Sequence, residues 1–237
     1  MFPQKSYSIF SLGDAAITID FGNIINEKIN DYVLDLFHAF QQRPFSGMVD
    51  LIPAYSSLSI YYDPVKLRKS ISHSETAFEY IKKEVVKFIE KFSWEKPLPA
   101  KVMKIPVCYD EYYATDLSRI AEIKNLEKQE IVHLHYGQTY RVYMIGFLPG
   151  FPYLGTLDEK IAMPRKPEPQ MVKAGSVAIA GRQTGIYPLE SPGGWHIIGK
   201  TPLKIFDANR ESPSLLSAGD VVEFYPIDKN EFLNLSL

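Results

Sequence analysis

The chain has 237 residues, 46% of them hydrophobic and 23% charged, with a formal net charge of −2. That length and apolar content suit two packed domains and exclude a disordered chain, and the near-neutral charge offers no electrostatic footprint for nucleic acid or anionic lipid. Cys108 is the single cysteine, which excludes an intrachain disulfide and fits a reducing, cytoplasmic setting; neither a leader peptide nor a membrane span is expected, because no sufficiently long apolar run occurs.

Elements follow in chain order. Ala15, Ile17, Ile19 and Phe21 alternate with Ala16, Thr18 and Asp20, the period of a strand. Asn26 offers an N-cap, after which Ile29, Val33, Leu36, Phe37 and Phe40 recur at helical spacing. Two further strands, GMVDLIP and SLSIYYDP, are bounded by Pro53 and Pro64. Ser72 and Glu75 have the spacing of a capping box. Phe78, Ile81, Val85, Phe88, Ile89 and Phe92 then form one apolar stripe opposite a charged, solvated face. Two helices among about four strands predict an α+β sandwich, with the helices on one face of a mostly antiparallel sheet. The proline-bearing segment FSWEKPLPAKVMKIPV is the expected linker.

Beyond residue 100 one helical region remains, DLSRIAEIKNLEKQEIVHLHYG, expected to split near Asn125. The rest reads as short strands: YRVYMIGF, GSVAIAG, GIYPLE, HIIGKTP, LKIF and DVVEFYPI. Their close spacing argues a barrel or sandwich.

Several motifs carry chemistry. Gly194 to Thr201 spells a phosphate-cradling loop, but its variable positions hold Trp195, Ile197 and Ile198, and Pro202 follows. Such a loop must follow a strand and open a helix, so this one is expected to be a strand. GFLPGFPYLG combines glycines and prolines with Phe147, Phe151 and Tyr153, and Gly150 permits a close turn. SPGGW leaves the N–H groups of Gly193 and Gly194 unshielded, suited to a carboxylate or oxyanion, with Trp195 as a wall. His196 is a candidate proton carrier or ligand donor weighed against a core histidine, and His135 a second catalytic candidate weighed against a structural one. Arg165 and Arg182 are candidates to hold a carboxylate or phosphate by a paired fork, weighed against surface ion pairs, with Gln183 beside the latter. His133 and His135 diverge on a helix, so no metal site is expected. Cys108 reads as a small buried hydrophobe.

The blocks GFLPGFPYLG, AGSVAIAGRQTGIYP and SPGGWHIIGKTP, within residues 146–206, resemble the signature of the family that holds the 5-oxoprolinase B subunit and KipI, also labelled allophanate hydrolase subunit 1. The flanks IPVCYDE, IVHLHYGQTYRVYMIG and SAGDVVEFYPI agree, so the resemblance covers nearly the whole chain. It departs where Pro169, Gln170, Val172 and Lys173 replace the usual Pro-Arg and Val-Pro pairs. It departs again after Cys108, where DEYYATDL stands for a glycine-rich turn, and at Lys200, where arginine is more usual. The resemblance implies a ferredoxin-like α+β domain over residues 1–96 and a mainly-β, cyclophilin-like barrel over residues 97–237. It implies ATP-dependent opening of 5-oxo-L-proline to L-glutamate by a hydrolase complex. This chain would act there only with partners, the A and C subunits of 5-oxoprolinase, with ATP bound by the complex rather than by this chain alone. The substrate-binding set would be Phe147, Gly150, Phe151, Tyr153, Arg165, Arg182, Gln183, Gly193, Gly194 and Trp195, with His196 and His135 catalytic. The resemblance leaves open a KipI-type inhibitor that binds a sensor histidine kinase and, more weakly, a relative of urea-carboxylating or allophanate-cleaving systems.

Overall fold

The computed structural model describes residues 7–69, 71–72, 74–92 and 100–236. The chain divides into two compact units, residues 1–99 and 100–237. The expected boundary between residues 96 and 97, and Pro97 and Pro99 of the expected linker, lie outside the described residues.

The first unit holds one antiparallel sheet in the order β1-β2-β4-β3, formed by β1 (Ser8–Ser11), β2 (Ala16–Asp20), β3 (Met48–Pro53) and β4 (Ser57–Tyr62). Helix α1 (Glu27–Gln42) starts where Asn26 accepts the Ile29 N–H. A short helix α2 (Pro64–Arg68), which periodicity does not announce, is capped by Asp63 with Pro64 in its first turn. Helix α3 (Ala77–Lys91) carries the predicted stripe, and Ile81, Val85 and Ile89 meet Ile17, Ile19, Leu58 and Ile60 in one core. Each such aliphatic side chain contributes roughly 1.5–3 kcal/mol by leaving water. Strands β2 to β4 with α1 and α3 follow part of a β-α-β-β-α-β order. Among the described residues, β2 lies between β4 and β1, the latter from the N-terminal end.

The capping box lies one turn later than the spacing at Ser72 suggests. Thr76 Oγ1 accepts the Glu79 N–H at 3.1 Å, and Glu79 accepts the Thr76 N–H at 2.9 Å. Ser72 instead bonds Ser74, and Glu75 pairs with Lys83. Both S-x-x-E and T-x-x-E fit the pattern; the structure uses the pair adjoining the first buried turn.

The second unit is a closed seven-stranded barrel in the order β10-β7-β6-β13-β5-β12-β9. Its strands are β5 (Val102–Cys108), β6 (Thr139–Ile145), β7 (Pro152–Gly155), β9 (Ser176–Ala180), β10 (Gln183–Ile186), β12 (His196–Lys200) and β13 (Val221–Ile227). Strands β8 (Gln170–Val172) and β11 (Ser191–Gly193) form a separate ribbon. The helical region splits as expected: α4 (Leu117–Lys124) ends at Asn125, in the left-handed region at φ 50°, and α5 (Lys128–Tyr136) follows. Alternation sends Val177 and Ile179 into the barrel core with Ile198, Val222 and Phe224. Ala178 and Ala180 face a second cluster with Phe151, Tyr187, Trp195 and Ile197. LKIF is no strand; only Phe206 forms an isolated bridge, to Ser214. A final helix α6 (Lys229–Leu235), capped by Asp228 and Glu231, was not foreseen. Among the described residues no helix is long and apolar enough to cross a membrane.

Thr76→Ala is expected to destabilise the protein by about 1 kcal/mol, with Ser72→Ala within about 0.5 kcal/mol of wild type. Urea titration followed by far-ultraviolet circular dichroism decides this; equal losses would restore the earlier cap.

Candidate functional site

Alternate residues of the signature blocks converge outside the barrel core, on the aromatic cluster. The turn before β7 is self-bonded: Gly146 N–H reaches Phe151 O at 3.1 Å, Leu148 N–H reaches Gly146 O at 2.9 Å and Phe151 N–H reaches Leu148 O at 3.0 Å. Three of its amides are therefore used within the turn. Gly150 sits at φ 81°, where an added Cβ would stand 2.8 Å from Phe206 Cβ. Phe147 adopts φ 69°, rare for a bulky residue, and is 61% exposed.

Beyond that turn, Phe151 is edge-on to Tyr153, Tyr187 and Trp195 at centroid distances of 4.9, 5.2 and 5.4 Å. The Arg165 guanidinium lies 6.0 Å from the Trp195 ring centre. No carboxylate pairs with Arg165 among the described residues. Burial raises the Tyr153 phenol above its ordinary value, and the Arg165 charge pulls the other way. Gly193 owes its identity to packing, since an added Cβ would lie 2.2 Å from the Tyr187 hydroxyl oxygen. Gly194 accepts the Lys166 N–H at 2.7 Å.

Arg182 does not join this cluster. It lies in the β9–β10 turn and pairs with Glu159 at 2.7 Å in an exposed ion pair. Gln183 opens β10 opposite Gly155 and Ala180.

The two histidines occupy different environments. His135 enters the barrel from α5 and is fully buried. Its Nε2 lies 2.9 Å from Thr184 Oγ1, which donates to Ala178 O at 3.0 Å. That hydroxyl must therefore accept from Nε2–H, which leaves Nδ1 to accept from the Tyr109 hydroxyl at 2.8 Å. Desolvation pushes the imidazole down to about 3, so it stays neutral. This sealed, doubly bonded ring has the geometry of a packing residue, and the catalytic expectation for His135 finds no support in it.

His196 is 4% exposed. Its Nε2 lies 2.8 Å from Pro164 O; a carbonyl only accepts, so Nε2 carries the proton. Nδ1 is then a buried lone pair with no partner among the described residues. Beside it lies an element that sequence reasoning missed. Asp116 and Lys166 form a mostly buried ion pair at 2.6 Å, and Asp116 Oδ2 also accepts the Ile197 N–H at 2.6 Å. Fifty residues separate the partners, and neither sits in a motif, so no local signal pointed to them.

The segment spelling a phosphate loop is strand β12, followed by bends rather than a helix, so its residues do not fit a nucleotide. Burial pushes the Cys108 thiol up, as for an inert buried thiol. His133 and His135 diverge, the former reaching Tyr136 at the surface. Among the described residues no group of three or more His, Cys, Asp or Glu could hold a metal ion.

The model of the carboxyltransferase domain, subdomain C and D, matches residues 7–216. The B subunit of 5-oxoprolinase from Bacillus subtilis (strain 168) is 40% identical over 228 residues, 95% of each chain. The chain belongs to the family of the 5-oxoprolinase B subunit and KipI. The crystal structure of a conserved uncharacterized protein from Pyrococcus horikoshii is 42% identical, with a TM-score of 0.54, covering 95% of this chain and 100% of that one. The K. lactis urea amidolyase has a TM-score of 0.76 over 98% of this chain and 16% of its own, at 21% identity, a likeness of fold alone. In this family member the signature blocks thus build one aromatic and cationic surface around Trp195, and the next residue, His196, has a second nitrogen with no partner among the described residues.

The His135 network sets a pH dependence. The unfolded chain protonates this imidazole below about 6.5, while the folded barrel excludes the proton until about pH 3. Its contribution is present above pH 6.5 and is lost as pH falls toward 3. His135→Gln is expected to flatten the acid-side slope of unfolding free energy by up to one proton, about 1.4 kcal/mol per pH unit. An unchanged slope between pH 6 and 4 would contradict this.

Proposed function

We propose that the chain is one component of an ATP-dependent 5-oxoprolinase that opens 5-oxo-L-proline to L-glutamate together with the A and C subunits of that enzyme. The observation that carries this reading is the exposed Arg165 guanidinium, with no carboxylate partner among the described residues, lying over Trp195 and beside Tyr153. The identity to a relative of that name along 95% of both chains supports it. The finer fold names, a ferredoxin-like first domain and a cyclophilin-like barrel, belong to the same reading, as does a cytoplasmic setting.

5-Oxo-L-proline is a flat five-membered lactam bearing one carboxylate. Arg165 holds that carboxylate by a paired fork, and Tyr153 and Phe147 offer ring faces to the lactam. Opening the ring requires water to add to the carbonyl carbon, the C–N bond to break and the nitrogen to take a proton. His196 Nδ1, with its proton held on Nε2 by Pro164, accepts a proton from the attacking water and returns one to the departing nitrogen. His135 takes no part. Gly150 and Gly193 shape the site through close packing, whereas Arg182 and Gln183 lie off it. The segment spelling a phosphate loop is strand β12, and in this reading the nucleotide and the remaining donors come from partner chains.

The purified chain alone is expected to show no 5-oxo-L-proline-dependent ATP hydrolysis, with activity restored on adding the partner subunits. In that assembly Arg165→Ala should raise KM about tenfold or more, since a charge-assisted fork is lost. His196→Ala should lower kcat roughly a hundredfold. Full turnover by the single chain, or unchanged kinetics in both variants, would refute the reading; tight capture of a histidine kinase by an assembly-incompetent chain would replace it.

A further inference from the structure

The segment around Pro164 is fastened to the start of β12 at three points. The Pro164 carbonyl accepts from His196 Nε2 at 2.8 Å, the Lys166 N–H donates to Gly194 O at 2.7 Å, and Lys166 Nζ reaches Asp116 Oδ2 at 2.6 Å. Asp116 stands at the N-cap of α4 yet makes no side-chain bond to its own helix. Its carboxylate turns toward β12 instead, where Oδ2 also takes the Ile197 N–H, while the Asp116 N–H donates to Ile197 O at 2.9 Å. An aspartate at this position ordinarily satisfies a free helix amide. Here that role is given up in favour of the strand. Lys166 donates further to Gln170 Oε1 at 3.2 Å, so its ammonium has two oxygen partners although its side chain is only 9% exposed.

Gly194 and Ile197 flank the Trp195–His196 pair. Lys166 thus meets Gly194 through its backbone amide and, through its ammonium, the Asp116 carboxylate that holds Ile197, so the ion pair ties the segment carrying the Pro164 carbonyl to the far side of His196. We propose that the Asp116–Lys166 pair is a positioning device for His196: it clamps the Pro164–Lys166 segment against β12, so that Pro164 keeps the proton on Nε2 and Nδ1 stays the bare nitrogen. The mechanical part stands on the hydrogen bonds alone. Its use in ring opening rests on the function proposed above.

Removing one partner would strand a buried charge and put the fold at risk. The informative variant is therefore the neutral pair Asp116→Asn with Lys166→Met, which keeps an acceptor for the Ile197 N–H and cuts the tie to the loop. The measurement is a long-range ¹H–¹⁵N correlation on the full chain with ¹⁵N-labelled histidines at pH 8. There are five histidines, and His196 is assigned by its loss in His196→Gln. Wild type should show a single tautomer at His196, protonated on Nε2. The double variant should show a mixture of both tautomers, with the His135 pattern unchanged as the internal control for folding, and Lys166→Arg should retain the single form. A wild-type His196 pattern in the folded double variant, or a proton on Nδ1 in the wild type, would overturn the clamp. With partner subunits present, the double variant should lose roughly tenfold or more in kcat with KM within about twofold, the scale of a misplaced catalytic group. If His196→Ala turns over normally, the proposed chemistry fails while the tautomer result still decides the clamp.

Discussion

Strand β12 pairs with β9 from His196 to Lys200 but meets β5 only where Lys200 faces Cys108. At that meeting Gly199 is required: an added Cβ would stand 2.7 Å from Val107 Cγ1 and 3.0 Å from the Cys108 carbonyl. A register shift against β9 falls between Ile197 and Gly199, and on the other side the β5 pairing does not extend to Ile197. Buried amides and carbonyls demand partners. Asp116 supplies both, its carboxylate accepting from Ile197 N–H and its own N–H donating to Ile197 O. One aspartate thus pairs the backbone groups of β12 that β5 does not reach, and it also binds Lys166.

The barrel separates two kinds of chemistry. Inside the barrel, His135 is bonded at both nitrogens between Tyr109 and Thr184 and sits among Tyr140 and Phe224 rings. Its polarity is fully answered, and burial holds it neutral. At the loop end of β12, His196 is bonded at one nitrogen only. Two histidines with similar burial therefore differ in what they can do, and hydrogen bonding rather than exposure makes the difference. The aromatic face under Arg165 is stiff for a related reason: Gly193 admits Tyr187 at contact distance, and Gly150 admits Phe206, so neighbouring rings lock the surface on which Arg165 rests.

Much of this was legible where the signal is local. The Asn26 cap, the stripe from Ile81 to Ile89 and the break at Asn125 each depend on residues within one or two turns. The strand character of the segment spelling a phosphate loop was legible too, because Ile197 and Ile198 favour it. Strand β7 was hidden inside a block dense with glycine and proline, although Phe151 and Tyr153 alternate with Leu154 across its two faces. The three-residue strands β8 and β11 are too short to show a period. LKIF has strand-like composition, but among the described residues Phe206 alone forms a bridge. The Asp116–Lys166 pair was invisible because tertiary closure creates it, and Arg182 looked equivalent to Arg165 until Glu159 was found beside it.

The central claim is that substrate rests on the Arg165–Tyr153–Trp195 surface of this chain. Trp94 and Trp195 are its two tryptophans. A Trp94→Phe chain labelled with 5-fluorotryptophan and assembled with unlabelled partner subunits carries one fluorine probe, at Trp195. Titration with 5-oxo-L-proline should move that ¹⁹F resonance saturably, at concentrations matching KM. An unmoved resonance in an assembly that turns substrate over would place the substrate elsewhere and contradict the account.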